Sequence, residues 1–261
     1  MLTDPVNADL LDAAPSLRVV STLAAGFDNI DLAECESRGI AVGNTPGVLT
    51  DATADLTMAL LLALARRLPE AIAAVNDGEW LTWEPEFLLG MELRDRTLGI
   101  IGSGRIGSAV AERARAFGMK VIESGRQDGN NPGLPLDELL TKSDIVSLHC
   151  PLTDATRGLV NSDFLSKMQP HALLVNTARG QVLDQVALAD ALRSGTIAGA
   201  ALDVTDPEPL PPTDPLLTAP NLIVIPHLGS ATHRTREAMA DIAVDNLLAG
   251  LAGEPLPHRI A

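Results

Sequence analysis

Residues 97–107 read Thr97-Leu98-Gly99-Ile100-Ile101-Gly102-Ser103-Gly104-Arg105-Ile106-Gly107. A short, mostly apolar run, TLGII, passes directly into Gly-x-Gly-x-x-Gly, and residues 106–117 beyond it carry helical patterning. Each glycine has its own reason to be there. The first permits a tight turn, the second lets a ligand's pyrophosphate approach the backbone, and the third lets helix pack on strand. The start of the helix adds free N–H groups and a partial positive charge, so an anion is held without a basic side chain. A second strand at 120–124 completes a strand–turn–helix–strand unit, the setting in which this motif binds a dinucleotide.

Working outward, the same alternation continues in both directions. Residues 18–22 (RVVST), 40–42, 144–149 (DIVSLH), 172–176 (ALLVN), 199–203 and 222–225 (LIVI) read as strands. Helical stretches at 32–38, 51–67, 185–194 and 235–250 lie among them, the second stopped before Pro69 and the last amphipathic. Near-continuous apolar strands alternating with helices predict an α/β fold, a doubly wound parallel sheet of the Rossmann type covered on both faces. Residues 207–220 hold six of the 18 prolines and read as an ordered, irregular loop.

The balance of the composition excludes some partners. The net charge of −15 argues against nucleic acid and anionic membranes. Any anion site must then be built locally, from a few Arg and from backbone N–H groups. Two cysteines, Cys35 and Cys150, do not make a disulfide framework. The first residues lack a charged n-region and an apolar h-region, and the longest apolar run, 58–65, is far too short to span a bilayer. The expected compartment is a reducing cytoplasm. With aromatics at 2% and no Tyr, the core must come from Ala, Leu, Val and Ile.

Dinucleotide selectivity is read at the end of the second strand, Glu123-Ser124-Gly125-Arg126-Gln127. An acid there, roughly 20 residues past the turn, favours NAD by binding the ribose 2′-OH. If the selector is Gly125, the acid is missing and Arg126 stands ready for a 2′-phosphate; if it is Glu123, NAD is favoured. Three further polar signals close strands: Asn176-Thr177-Ala178-Arg179-Gly180, residues 203–209 (DVTDPEP), and Pro226-His227-Leu228-Gly229-Ser230. Ligands of open α/β sheets bind beyond the carboxyl ends of strands, so all three point toward one crevice. Their residue types suit hydride transfer to a 2-oxo acid. His titrates near neutral pH and can protonate the nascent alkoxide, a carboxylate on its other nitrogen orients the ring, and Arg can hold the substrate carboxylate. His149, His171, His233 and His258 lack such company; no metal cluster is read.

The stretches STLAAGFDNIDL, VLTDATADLTMALLLALARRLPEA, TLGIIGSGRIGSAVAERARAFG, GRQ, NTARGQV, ALDVTDPEPLPPTDPLL and IPHLGSATHRTREAM together resemble the D-2-hydroxyacid dehydrogenase family, in particular its glyoxylate reductase/hydroxypyruvate reductase branch. The resemblance covers nearly the whole chain. It implies His227 as the acid/base paired with Glu208, and Arg179 on the substrate. Ala25 and Gly26 would hold the substrate carboxylate through their N–H groups, with Ser230 nearby. Gly102, Gly104, Arg105, Ile106 and Gly107 would hold the pyrophosphate, and Gly125, Arg126 and Gln127 the 2′-phosphate of NADP, with NAD as the other dinucleotide. Pro151, Thr177, Asp203 and Gly229 would complete the cofactor site, the last three at the nicotinamide end. Trp80 and Trp83 fall where that branch has a W-x-x-W stretch near a homodimer contact.

The resemblance also implies two domains. Residues 1–48 plus 234–261 would form a smaller, truncated flavodoxin-like substrate domain, and 49–233 the dinucleotide-binding domain, with the active site in a closing cleft. Relative to the family pattern, residues 2–4 look like the end of a mid-domain strand, and at least one βαβ unit is expected to be absent. Two rivals follow. A non-catalytic dinucleotide-binding module would keep the turn and lose turnover. A formate- or phosphite-type dehydrogenase of the same superfamily would keep the fold; Glu208 in place of Gln speaks against the formate branch.

Overall fold

The computed structural model describes residues 4–125 and 133–261. The strand end expected at 2–4 lies largely outside these residues, and Arg126 and Gln127 lie wholly outside them. In chain order the elements are α1 (Ala8–Ala13), β1 (Val19–Ser21), α2 (Leu32–Ser37), β2 (Ala41–Gly43), α3 (Thr50–Ala65), α4 (Leu68–Asn76), β3 (Thr97–Ile101), α5 (Arg105–Ala116), β4 (Lys120–Glu123), α6 (Leu136–Lys142), β5 (Ile145–Leu148), α7 (Ser162–Lys167), β6 (Leu173–Asn176), α8 (Gln185–Ser194), β7 (Gly199–Leu202), β8 (Leu222–Val224) and α9 (His233–Ala252). The chain divides into two compact units, residues 1–52 with 230–261, and residues 53–229.

In the larger unit six parallel strands lie in the order β4-β3-β5-β6-β7-β8. The chain runs outward from β3 to β4 and then returns to the other side of β3, so the order reverses between β3 and β5. A ligand crevice opens at such a switch point. Strands β5, β6 and β7 are buried along their whole length, which is why they read as continuous apolar runs rather than alternating ones. Alternate residues feed two cores. Leu98, Ile100, Ile145, Leu173 and Val175 pack with Met58 and Leu61 of α3 and Val110 and Ala114 of α5. Ile101, Val146, Leu148 and Leu174 pack with Leu139 of α6, Phe164 of α7 and Leu188 of α8.

The expectation of one helix over 51–67 needs correction. Helix α3 ends at Ala65, Arg67 takes a left-handed conformation (φ 53°), and Pro69 sits in the first turn of α4. Proline lacks the N–H that a first helical turn leaves unpaired anyway, so here it starts a helix rather than merely ending one.

In the smaller unit β1 and β2 form a parallel pair. The C-terminal residues extend it: the Ile260 amide donates to the Val42 carbonyl at 2.8 Å, and Val42 donates to Ala261 at 3.0 Å. Helix α9 crosses the pair closely at Gly250, where a Cβ would lie 2.5 Å from the Val19 side chain. Fully buried Asn246 joins the parts, donating to the Asn44 carbonyl at 3.0 Å and accepting from the His258 amide at 2.9 Å. The unit boundaries fall at 52/53 and 229/230, against the expected 48/49 and 233/234. Among the described residues, no helix is long and apolar enough to cross a membrane, and no group of His, Cys, Asp and Glu is placed to hold a metal ion. Both cysteines are buried thiols.

Candidate active site

The glycine turn leads from β3 into α5. Gly102 has φ +101°, and a Cβ there would sit 2.5 Å from the Cys150 nitrogen and from the His149 carbonyl carbon. It is glycine for both reasons, conformation and close approach. At Gly107 a Cβ would drive into the Gly102 carbonyl oxygen, which seats the helix on the turn. Gly104 differs. Its φ is −77°, and a Cβ would meet no protein atom within 4 Å. Neither strain nor packing within the chain asks for glycine there, and the backbone is left open to approach. Gly104 is also the N-cap of α5 and supplies no side-chain hydrogen bond, leaving the first amides, at Arg105 and beyond, directed to an incoming anion.

Beside the turn lies a cavity of about 380 Å³, lined by Ile101, Gly102, Ser124, Gly125, Leu136, Cys150, Pro151 and Leu159 among others. Its wall is largely apolar and suits a flat aromatic base. Of the two candidate selector positions, Gly125 lines this cavity, whereas the Glu123 carboxylate lies 3.7 Å from the Arg115 guanidinium of α5. The two share parity along an ideal strand, but β4 ends at Glu123 and Gly125 lies beyond it. Burial pushes the Cys150 thiol up to about 11 and keeps it protonated. The donor set therefore fits a dinucleotide: an apolar slot, a turn open at Gly104 and a helix start with free amides.

At the ends of β6, β7 and β8 the structure brings Arg179, Glu208 and His227 together. Asn176 braces the first loop, accepting from the Ala178 amide at 3.0 Å and donating to the Arg179 carbonyl at 2.9 Å. A Cβ at Gly180 would run into the Thr205 carbonyl group, so this loop is pressed onto the one that carries Glu208. His227 Nδ1 meets Glu208 Oε2 at 2.9 Å, and Glu208 Oε1 accepts from the Thr205 amide at 3.0 Å. The hydrogen bond that His227 Nδ1–H donates to Glu208 holds the imidazole above its usual range, against burial and with help from the Glu208 and Asp203 charges. Burial works against the ionised Glu208, but the hydrogen bond and charge of His227, the Thr205 amide and the Arg179 charge together lower it. With Nδ1 engaged, His227 Nε2 is the atom left for proton transfer.

Asp203, 1% exposed, does its work inside the chain. Its Oδ1 accepts from the Leu228 amide at 2.5 Å, its Oδ2 from the Gly229 amide at 2.8 Å, and its carbonyl from the His227 amide at 2.8 Å. His227 sits in the left-handed region at φ 53°, a conformation that needs such holding. Burial raises the Asp203 carboxyl in spite of these amides. Gly229 is glycine beside this clamp: a Cβ would come 3.1 Å from Asp203 Oδ2 and 3.3 Å from Thr53 Oγ1. Thr177 shares a 3.0 Å hydrogen bond with Thr57 of α3. Ala25, Gly26 and Ser230 belong to the other unit. There the Ala25 carbonyl accepts from Asn44 Nδ2 at 2.7 Å, which fixes the loop after β1. Sequence reading passed over His149, which follows β5 with Nε2 at 2.8 Å from Ser147 Oγ. The strand-end position of His149 was visible, but its serine partner, two residues earlier on the same face, was the signal to weigh.

Comparison with known proteins adds the following. Residues 58–229 match the family model described as D-isomer specific 2-hydroxyacid dehydrogenase, NAD binding domain. The chain is 49% identical over 268 residues to the glyoxylate reductase of Korarchaeum cryptofilum, covering all of this chain and 81% of that protein. It is 48% identical over 269 residues to the human glyoxylate reductase/hydroxypyruvate reductase, covering all of this chain and 82% of that one. Among solved structures, the NADPH-dependent glyoxylate/hydroxypyruvate reductase of Sinorhizobium meliloti, in complex with NADP and malonate, is 39% identical with a TM-score of 0.88, over 99% of this chain and 82% of that one.

Proposed function

The chain belongs to the D-isomer-specific 2-hydroxyacid dehydrogenase family, and from that premise we propose that it reduces glyoxylate or hydroxypyruvate to the corresponding 2-hydroxy acid with NADPH. When bound, the reduced dinucleotide supplies the hydride that reaches the carbonyl carbon. The chain's own residues do the rest. His227 in its protonated form gives the Nε2 proton to the carbonyl oxygen, and Glu208 on Nδ1 orients the ring and favours the imidazolium. Arg179 engages the carboxylate and polarises the ketone. Gly102, Gly104, Arg105, Ile106 and Gly107 hold the pyrophosphate. Gly125 and Pro151 lie at the base end, and Thr177, Asp203 and Gly229 at the nicotinamide end. The observation that carries the reading is the His227–Glu208 pair at 2.9 Å, beside Arg179 and at the strand ends next to the glycine turn.

NADP over NAD is supported by the absence of an acid at Gly125 and by the engagement of Glu123 with Arg115; Arg126 and Gln127 are the proposed partners of the 2′-phosphate. A homodimer is supported by the run of exposed Ile72, Val75, Trp80, Leu81 and Trp83, a patch that soluble monomers seldom leave uncovered. The test is steady-state kinetics with NADPH and NADH against glyoxylate, hydroxypyruvate and pyruvate. Turnover with the first two and a lower KM for NADPH are expected. Dinucleotide binding with no turnover on any of the three would overturn the assignment and leave a binding module.

A further inference from the structure

Among the described residues, three buried side-chain polar atoms have no hydrogen-bond partner: Thr45 Oγ1, Ser103 Oγ and His149 Nδ1. Two of the three flank the glycine turn. Ser103 is its second residue. His149 directly follows β5, and the register that sets Ile101 beside Leu148 carries on to set Gly102 beside His149. The His149 amide donates to the Ile101 carbonyl at 2.7 Å, and Gly102 is pressed against the His149 carbonyl group. By strand alternation His149 and Ser147 follow Ile145, on the face covered by α3 and α5. The apolar cavity, lined by Ile101 and Cys150, is on the opposite face. His149 is therefore a separate polar feature and not part of the base slot.

Its tautomer follows from counting donors. Burial takes the imidazole down to about 4, so it is neutral and carries one N–H. If that proton were on Nε2, it would donate to Ser147 Oγ, leaving both the serine hydroxyl proton and the Nδ1 lone pair unmet. If it is on Nδ1, the fully buried serine donates to Nε2 at 2.8 Å and one group alone is unmet, the Nδ1–H. The second arrangement wastes less and is the one the site selects. What remains is an uncharged, buried donor on the residue whose backbone lies against a turn shaped for a pyrophosphate. In a chain of net charge −15, donors of this kind are what an anion site must be made from.

We propose that His149 is a dinucleotide-contact residue: its Nδ1–H, set by Ser147, donates to a pyrophosphate oxygen held at the turn 102–107, and the Ser103 hydroxyl donates beside it. The proposal rests on reading that turn as a dinucleotide site, and the experiment separates the two.

Protein labelled with ¹⁵N-histidine is titrated with NADPH, ADP and adenosine, with His149→Asn used to assign the resonance. A pyrrole-type Nδ1 and a pyridine-type Nε2 are expected in the free protein. The Nδ1 signal should shift with NADPH and with ADP, which carry the pyrophosphate, and not with adenosine. By fluorescence titration, His149→Leu should bind NADPH about tenfold more weakly, the scale of one lost hydrogen bond. His149→Asn, which returns an N–H near the Nδ1 position, should recover most of that loss. If the wild-type protein binds NADPH while its His149 Nδ1 does not respond, or responds equally to adenosine, the proposal is overturned: the Nδ1–H is then a buried donor that the pyrophosphate does not reach. If the wild-type protein does not bind NADPH at all, it is the functional reading that fails. Should His149→Leu not fold, the wild-type titration decides alone.

Discussion

Replacing Asp203 by Asn changes one charge and almost no volume, and the structure says what each part of the change should cost. Both carboxylate oxygens receive an amide, Leu228 at 2.5 Å and Gly229 at 2.8 Å, in a site 1% exposed. An Asn keeps one of these bonds through its carbonyl and turns an NH2 group toward the other amide. Losing a bond to a charged acceptor costs about 1.5–3 kcal/mol, and the stranded N–H about 1–3 kcal/mol more. Part returns, because burial already disfavours the ionised carboxylate and the neutral amide escapes that penalty. A net loss of about 2–4 kcal/mol is expected. For a chain of this size each kcal/mol lowers Tm by about 2–4 °C, so calorimetry should show a fall of roughly 4–16 °C. The same two amides lie in the loop that holds His227 at φ 53°. A left-handed non-glycine residue is strained by about 1–3 kcal/mol, so a loosened clamp lets the loop relax and the imidazole move off its position. Reductive turnover should fall at least about tenfold, which corresponds to about 1.4 kcal/mol in the barrier. A variant with wild-type Tm and wild-type kcat would refute the view that Asp203 clamps the catalytic loop.

His227→Ala should lower turnover by at least about 100-fold, the low end for a lost general acid, while the thermal transition stays near that of the wild type because the side chain faces solvent. The pH profile follows from the signs of the shifts: His227 lies above its ordinary 6.5, so reductive turnover should hold through 6.5 and fall as pH rises through the folded value. In Glu208→Gln the fall should begin at lower pH, and an unmoved profile would deny Glu208 its role. The contribution of this pair to stability is fullest between about 4.5 and 6.5, where Glu208 is ionised and His227 protonated even in the unfolded chain. It is lost as pH rises through the folded His227 value or falls through that of Glu208, and it is small because the imidazole is half exposed. The turn glycines should separate cleanly. Gly107→Ala should destabilise by about 1–3 kcal/mol, since its Cβ meets the Gly102 carbonyl. Gly104→Val should leave the Tm close to wild type yet weaken NADPH binding at least about tenfold, as measured by titration.

The strands of the large sheet were legible because burial on both faces writes an unbroken apolar run. TLGII is β3 residue for residue, and 172–176 exceeds β6 by one residue. The glycine turn was legible from its spacing after the strand; Gly102 and Gly107 answer separate steric demands within the chain, and Gly104 leaves the backbone open. The helix expected over 51–67 was misjudged at its end. Composition around Pro69 does not say whether a proline closes one helix or opens another; the left-handed Arg67 decides that, and a left-handed non-glycine residue leaves no mark in the sequence. Arg179, Glu208 and His227 could be marked as strand-end polar residues, but their meeting depends on Gly180 pressing one loop onto the next. The clamp at Asp203 was out of reach of pattern reading. An acid at a strand end looks like a ligand-binding group, and only the folded loop shows both its oxygens taken by amides. Between Glu123 and Gly125 the sequence left a tie, which rested on alternation extended past the end of β4.

The apolar cavity beside the β3–β5 switch has a consequence for the direction in which a ligand lies. A long ligand with an aromatic base at one end and an amide-bearing ring at the other meets a greasy wall in one direction and hydroxyl and imidazole groups in the other. Turned end for end, it would strand its polar half against Leu136 and Leu159 and its base against the polar groups of the His227–Glu208 pair. Such a ligand lies across the strand ends in one sense only. That sense decides which end of the ligand is brought to the His227–Glu208 pair. The direction of a long ligand is thus written in where a few leucines fall, at the start of α6 and in the loop before α7.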